Sequence, residues 1–125
     1  MSTETNPLSD QTAILTPSGR LDAASASRLQ QEIAEQLEHG RTCIVVNLAA
    51  VPYLSGSVLR VLLVGHRYAR RAGGAFALCS PQHQVMRIIS LVGFDQVFAI
   101  YASQEQALQA VSVPARSSAT VKETT

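Results

Sequence analysis

The chain has 125 residues, of which 46% are hydrophobic and 15% are charged, and its formal net charge is +1. This length fits one small domain with a single core, and the weak net charge gives no reason to expect nucleic acid or an anionic membrane surface as a partner. No apolar run is long enough to span a bilayer, and the polar start, MSTETNPLSD, lacks the basic and apolar parts of a signal peptide. We therefore expect a cytoplasmic protein.

The residue types that carry most catalytic and metal chemistry are sparse. Cys43 and Cys79 lie in separate strand-like apolar runs, where reduced thiols acting as small hydrophobes are expected. His39, His66 and His83 occur singly, without a second Cys or His at metal-ligand spacing. The sequence also has no P-loop, no dinucleotide-binding glycine motif and no paired carboxylates near its central loop. We predict a binding module with no metal, no cofactor and no enzymatic activity.

The N-terminal residues 1–10 are rich in Ser, Thr and Asn and show no period. They predict a flexible tail or the lead-in to an edge strand. Residues 12–16 then predict a short strand, which Pro17 and Gly19 end.

The first predicted helix has a signal at each end. Asp22 is placed to cap its N-terminus, and the helix runs to about His39 and ends at Gly40. An apolar stripe at helical spacing predicts that one side of this helix lies on a sheet. The stripe consists of Ala26, Leu29, Ile33 and Leu37.

Residues 43–48 form an almost unbroken apolar run with β-branched side chains, which is typical of a central strand covered on both faces. Two further strand-like segments follow, at residues 75–79 and 97–101, and each is followed by a helical pattern. Strands separated by helices of ten or more residues indicate an α/β domain with parallel strand pairs.

A very apolar helix is predicted from about Ser57 to Ala72, directly after a loop with Pro, Ser and Gly. Ser57 is the predicted N-cap, with its hydroxyl at the positive end of the helix dipole. A hydroxyl in that position is well placed to carry a phosphate. The alternative is that Ser57 caps the helix and has a purely structural role.

Charged residues form one stripe along this helix. At 100° per residue, Arg60, Val64, Arg67 and Arg71 fall on the same side. The stripe is either a solvated face or a docking surface for an acidic partner, with Val64 as its apolar contact.

The segment Leu-Ser-Gly-Ser-Val-Leu at residues 54–59 resembles the signature of the STAS family, the anti-sigma factor antagonists. In that signature a strand ending in Asp and a short loop lead to Asp-Ser-Ser/Thr-Gly-Leu at the start of a helix. In this alignment Ser57 takes the position of the phosphorylated Ser, and Leu59 that of the Leu. The Gly-Arg-Leu-Asp step at residues 19–22 and the strand and Glu-x-Ala-Leu helix near the end are also similar to the family.

The resemblance implies the fold and the extent of the domain. We expect a STAS-like mixed sheet of four to five strands, with about four helices packed mainly on one side. This domain covers residues 11–112, between a flexible tail at residues 1–10 and a disordered C-terminal tail at residues 113–125, which is rich in Ala, Ser, Thr, Lys and Glu.

The resemblance also implies a function. The domain is expected to bind a serine kinase that acts as an anti-sigma factor, to release it after phosphorylation at Ser57, and to be reset by a serine phosphatase. Ser55 is the alternative phosphorylation site. The predicted partner-binding residues are Asp22, Asn47, Tyr53, Leu54, Ser55, Gly56, Ser57, Val58, Arg60, Val64 and Arg67.

Among the positions that depart from the family pattern, three change the surroundings of Ser57. Ser55 and Asn47 replace Asp residues, and Val58 replaces a Gly, so two negative charges are absent beside the acceptor hydroxyl. The alternative function is therefore a STAS scaffold or subunit that binds its partner constitutively, without phosphorylation. A third alternative is a small-ligand or catalytic site in the loop region.

Overall fold

The computed structural model describes residues 2–5 and 11–112, with side chains described for residues 11–111. The strands are β1 (Ser2–Thr5), β2 (Thr12–Thr16), β3 (Cys43–Asn47), β4 (Ala75–Cys79) and β5 (Ala99–Tyr101). The helices are α1 (Ala23–Glu38), α2 (Gly56–Arg71), α3 (His83–Leu91) and α4 (Gln104–Ser112), with a short 3₁₀ turn at Phe94–Gln96.

The five strands form one sheet in the same order as in the chain, β1-β2-β3-β4-β5. Strands β2 to β5 are parallel, and β1 runs antiparallel to β2. Each parallel connection contains a helix, and right-handed crossovers that step in one direction place their helices on one face of the sheet. Accordingly α1, α2 and α3 share one face, whereas α4 packs on the other. The predicted mixed α/β sheet with helices mainly on one side is confirmed.

The core follows from the alternation of side chains along the strands. In β3, Ile44 and Val46 pack against the face that carries α1, α2 and α3, whereas Val45 packs against α4. All three side chains are fully buried. The apolar run of β3 therefore reflects a central strand that is covered on both faces, as predicted.

Gly65 allows α2 to lie very close to α1 and to the sheet. A Cβ atom at this position would lie 3.1 Å from Cε2 of Phe76 and 3.2 Å from Cγ2 of Ile33. Both of these side chains are buried in the core. The packing distance between the two helices therefore depends on the absence of a side chain at Gly65.

His66 lies on the sheet side of α2, between two aromatic rings. Its ring stands edge-on to that of Phe76, with centroids 6.1 Å apart, and to that of Phe98, with centroids 5.5 Å apart. Its Nδ1 atom is buried and has no hydrogen-bond partner among the described residues. Burial lowers the pKa of His66, and the charges of Arg70 and Arg67 lower it further, so the neutral form is favoured.

The predicted first helix is confirmed, with Asp22 as its N-cap and Gly40 in a left-handed conformation after its end. Residues 2–5 form an edge strand, where the sequence predicts a flexible tail or the lead-in to an edge strand. The reason is that their backbone pairs with β2 along the whole of β1. The tail predicted for residues 113–125 lies outside the described residues.

The two cysteines are both free. Cys43 lies opposite Ala75 in the register, and Cys79 lies opposite Asn47, so the two thiols are at opposite ends of neighbouring strands. Burial raises the pKa of the Cys79 thiol. In the described part of the chain, no helix is long and apolar enough to cross a bilayer, and no group of His, Cys, Asp or Glu side chains could hold a metal ion.

Candidate functional site

The loop between β3 and α2, residues 48–55, lies at the C-terminal edge of the parallel strands. On one side it pairs with the segment that leads from β2 to α1. The Leu21 amide donates to the Tyr53 carbonyl at 2.9 Å, and the Ser55 amide donates to the Leu21 carbonyl at 2.9 Å. Together these bonds make a short parallel bridge between Leu21 and Leu54. The bridge fixes the backbone just before α2 begins.

The other side of the same loop is held by the start of α3. The side-chain amide of Gln82 donates to the Ala49 carbonyl at 2.9 Å, and that of Gln84 donates to the Pro52 carbonyl at 2.9 Å. Hydrogen bonds therefore hold the loop on both sides, to the segment before α1 and to the start of α3. A loop held in this way presents the first turn of α2 in one defined position.

The N-cap of α2 is Ser55, not Ser57. Ser55 has an extended backbone, with φ −86° and ψ 169°, and its hydroxyl oxygen accepts a hydrogen bond from the Val58 amide at 3.4 Å. The helix then begins at Gly56. The prediction that Ser57 caps the helix is wrong because the bridge between Leu21 and Leu54 already holds Ser55 in the extended conformation that an N-cap needs.

Ser57 is the second residue of α2, and its side chain is exposed. It lies in the first turn, where the backbone amides lack carbonyl partners within the helix and the helix dipole is positive. The first turn contains no acidic residue. The predicted presentation of the Ser57 hydroxyl at a positive helix end therefore agrees with the structure, although the hydroxyl does not cap the helix.

Two residues of the predicted partner-binding set cannot contact a partner through their side chains. Leu54 is 1% exposed and Val58 is 0% exposed, and both belong to the core beneath α2. Leu54 is drawn inward by its bridge with Leu21, and Val58 lies on the buried side of the first helical turn. The prediction that they bind a partner is corrected: they support the site from below.

Asn47 and Asp22 have structural roles at the edges of the site. The Asn47 side chain donates to Oε1 of Gln104 at 2.9 Å and accepts from the Ala49 amide at 2.9 Å, which links β3 to α4. The Asp22 carboxylate accepts from the Ser25 amide at 3.1 Å. This hydrogen bond lowers the pKa of Asp22, and a further bond from the Ser25 hydroxyl has the same effect.

An exposed stripe runs along α2 from the turn that contains Ser57. We call it the α2 ridge, and it comprises Arg60, Val64, Arg67, Tyr68 and Arg71, all of which are exposed. Val64 is 37% exposed and Tyr68 is 54% exposed. The Arg71 guanidinium lies over the Tyr68 ring at 5.7 Å from its centroid. The ridge thus combines apolar area with positive charge.

Comparison with known proteins identifies the family. Residues 5–107 match the family model of the STAS domain. The chain belongs to the STAS domain family. Among its relatives, BtrV of Bordetella bronchiseptica is 30% identical over 92 residues, which are 74% of this chain and 79% of that protein. The anti-sigma-F factor antagonist RsfB of Mycobacterium tuberculosis is 27% identical over 101 residues, which are 79% of this chain and 80% of RsfB.

Solved structures of STAS proteins have the same fold. The crystal structure of TM1081 from Thermotoga maritima matches with a TM-score of 0.80 at 26% identity, covering 88% of this chain and 92% of TM1081. The anti-sigma factor antagonist SpoIIAA in its unphosphorylated form matches with a TM-score of 0.75 at 19% identity, covering 88% of this chain and 96% of SpoIIAA. The phosphorylated form of SpoIIAA, a Bacillus protein, matches with a TM-score of 0.67 at 18% identity, covering 88% and 99%. At these lower identities the likeness supports the fold alone.

Two exposed side chains near the site of this STAS domain, Tyr68 and Arg20, are not among the residues predicted from the sequence. Tyr68 follows Val64 by four residues, so the helical period alone could have placed it on the α2 ridge. Arg20 lies before α1, and its guanidinium stacks over the ring of Tyr53 at 4.2 Å from the centroid. This stacking joins two loops that are 33 residues apart in the chain, so no local signal in the sequence indicated it.

Proposed function

We propose that this STAS domain is an anti-sigma factor antagonist, and that it binds an anti-sigma factor with serine-kinase activity and releases it after phosphorylation at Ser57. The observation that carries the proposal is the exposed Ser57 hydroxyl in the first turn of α2, with the α2 ridge leading away from it. Membership of the STAS family and the similarity to RsfB, which is named an anti-sigma-F factor antagonist, support it. We take the cytoplasm as its place of action, as expected from the sequence.

The chemical step of the proposed switch is a phosphoryl transfer from ATP. The Ser57 oxygen forms a bond to the γ-phosphorus, the bond from this phosphorus to the ADP oxygen breaks, and the hydroxyl proton is lost. The product carries between about −1.5 and −2 charges at neutral pH. In the free domain this charge is favourable because it lies at the positive end of α2. Hydrolysis of the phosphate ester by a serine phosphatase restores the hydroxyl.

The same charge opposes binding when it lies inside an interface. A phosphate that loses water without gaining a partner is costly, and it repels any acidic side chain that faces it. The α2 ridge is positive, so a partner that fits it presents acidic side chains around an apolar centre that packs on Val64 and Tyr68. A phosphate at the start of the ridge would therefore face the acidic surface of the partner.

Ser57 is a better acceptor than Ser55 for a geometric reason. The Ser55 side chain is half-buried and its oxygen already accepts a hydrogen bond from the helix, whereas the Ser57 side chain is exposed. Phosphorylation of Ser55 would require the cap to rearrange. We therefore assign the switch to Ser57 and keep Ser55 as the alternative that the experiment below distinguishes.

The second candidate function is a STAS scaffold that binds its partner constitutively. The observation that favours it is the absence of two carboxylates: Ser55 and Asn47 stand where the family pattern has Asp residues. A kinase that needs one of these carboxylates beside the hydroxyl would transfer phosphate poorly to this chain. The two candidates share the α2 ridge as the binding surface and differ in the role of Ser57.

An in vitro kinase reaction separates the two. The purified domain is incubated with ATP and with each serine-kinase anti-sigma factor of the source organism, and the phosphate is located by mass spectrometry. The proposal predicts phosphate on Ser57, none in Ser57→Ala, and an unchanged yield in Ser55→Ala. Binding of these kinases without any phosphorylation would favour the scaffold, and phosphate on Ser55 alone would overturn the assignment to Ser57.

A further inference from the structure

We propose that Arg60 forms an ion pair with the phosphate on Ser57, so that phosphorylation also removes the first cation of the α2 ridge from the surface offered to a partner. The biological use of this pair rests on the proposed function. The geometry that predicts it belongs to α2 itself and does not depend on any partner.

The positions of the two residues bring their side chains together. Arg60 follows Ser57 by three residues on the same helix, so their Cβ atoms are about 5–6 Å apart. Side chains of an α-helix lean toward its N-terminus, and a residue covers the turn that precedes its own Cα. The Arg60 side chain therefore extends over the turn that contains Ser57. Both side chains are exposed, so neither is held in the core.

The chemistry of the two groups also fits. A guanidinium donates two parallel hydrogen bonds to phosphate oxygens, and such charge-assisted bonds are stronger than neutral ones. Residues 56–71 contain four arginines and no Asp or Glu, so α2 has no carboxylate of its own that competes for Arg60. The unmodified Ser57 hydroxyl carries no charge, and the ion pair therefore exists only after phosphorylation.

The other arginines of the ridge are too distant to take the same role. Arg67 follows Ser57 by ten residues, which corresponds to about 15 Å along the helix axis. This distance exceeds the Debye length of about 8 Å at physiological ionic strength, so the exposed charge of Arg67 is largely screened from the phosphate. Arg67 is thus a matched control for Arg60, because it has the same charge and lies on the same exposed stripe.

With this ion pair, phosphorylation acts on the α2 ridge in two ways. The phosphate adds negative charge at the start of the ridge, and it also occupies the guanidinium that an acidic partner would otherwise bind. A carboxylate at position 57 lacks the three oxygens and the double charge of a phosphate, so it engages Arg60 less strongly. Ser57→Asp is therefore expected to imitate phosphorylation only in part.

The test measures the second pKa of the phosphate directly. Phosphoserine is incorporated at position 57 during translation, and its ³¹P NMR signal is followed from pH 4.5 to pH 8 in the wild-type background and in three variants. A nearby guanidinium stabilises the dianion and lowers this pKa. Because an ion pair at this helical spacing contributes about 0.2–0.5 kcal/mol, Arg60→Gln is expected to raise the pKa by about 0.3 units.

The variants make the result specific. Arg67→Gln is expected to titrate like the wild type, and Arg60→Lys is expected to fall between wild type and Arg60→Gln because it keeps the charge but not the paired hydrogen bonds. The inference is overturned if Arg60→Gln and Arg67→Gln both titrate like the wild type, or if both shift equally. Since the phosphate is introduced without a kinase and no partner is present, this result is independent of whether the proposed function holds.

Discussion

The hydroxyl of Ser55 accepts a hydrogen bond from the backbone amide of Val58 at 3.4 Å, and this contact marks the beginning of α2. Two serines that are two residues apart therefore have different roles. Ser55 ties the first turn of the helix to the loop, whereas Ser57 lies on the exposed side of that turn. This division of roles allows one serine to be modified without loss of the helix cap.

The first prediction concerns this division. Ser55→Ala removes the cap and should lower the free energy of unfolding by about 0.5–1 kcal/mol, the lower part of the usual range because the bond is long. Ser57→Ala removes an exposed hydroxyl and should stay within about 0.5 kcal/mol of the wild type. Urea denaturation of the two variants measures both values. A larger loss of stability for Ser57→Ala than for Ser55→Ala would contradict the assignment of Ser55 as the cap.

A second prediction concerns the close contact of α2 with α1. Gly65→Ala places a methyl group against Phe76 and Ile33, both of which are held in the core. Overpacking costs about 1–3 kcal/mol, and the gain in helix propensity of up to about 1 kcal/mol offsets only part of it. We expect a net loss of about 1 kcal/mol in the free energy of unfolding, measured by urea denaturation.

The matched control is Gly56→Ala in the first turn of the same helix. Among the described residues, and apart from the chain neighbours of Gly56 and the backbone of α2, no atom lies within 4 Å of a Cβ built at Gly56. This variant should be as stable as the wild type or slightly more stable, because alanine restricts the unfolded chain. Equal stability of the two alanine variants would contradict the close packing at Gly65.

Local signals in the sequence are sufficient to predict the first helix and the central strand. Asp22 and Gly40 mark the two ends of α1 through interactions with nearby residues, and the apolar run of β3 reports its burial directly. The start of α2 was different, because the chain offers two serines as caps within three residues. The choice between them is made by the pairing of Ser55 with Leu21, which lies 34 residues earlier. No pattern confined to the loop contains this information.

The residues of the candidate site could be predicted only in part, because contacts between distant parts of the chain also shape it. The exposed positions of the α2 stripe followed from the helical period, and Ser57 and Arg60 lie where that period places them. The motif predicts that Leu54 binds a partner, but its side chain belongs to the core because the bridge with Leu21 turns it inward. The edge strand β1 has no hydrophobic period and forms through its pairing with β2.

The third prediction is a pH dependence of stability that originates at His66. In the unfolded chain this residue binds a proton near pH 6.5, whereas burial between Phe76 and Phe98 lowers its pKa in the folded state. Between these two pKa values the unfolded state holds more protons, so the free energy of unfolding falls as the pH falls below about 6.5.

His66→Gln removes this titration. Urea denaturation at several pH values between 7.5 and 5 should show a smaller loss of stability toward acid in His66→Gln than in the wild type. His83→Gln, at an exposed position of α3, is the control variant that removes an imidazole elsewhere in the chain. Identical slopes in the wild type and His66→Gln would show that the protonation of His66 is not coupled to folding.

The fourth prediction tests the α2 ridge as the binding surface. Replacement of Arg60 and Arg67 by Glu reverses two exposed charges, so the free energy of unfolding should change by less than about 1 kcal/mol. Affinity for the cognate anti-sigma factor should fall by at least about tenfold, since the acidic surface of the partner would then face like charges. Isothermal titration calorimetry measures the affinity.

Arg87→Glu is the control for this experiment, because it reverses an exposed charge on a different helix, α3. It should bind like the wild type. Unchanged affinity in the double variant would make the ridge a solvated face, and an equal loss in both variants would point to a general effect of net charge.

In the proposed function, a phosphate on Ser57 decides whether the domain binds its anti-sigma factor. The most direct measurement compares the dissociation constants of the unmodified domain and of the domain with phosphoserine at position 57, titrated against the same purified anti-sigma factor by calorimetry. We predict that phosphorylation weakens binding by about 100-fold, which corresponds to about 2.7 kcal/mol. Equal dissociation constants for the two forms would contradict it.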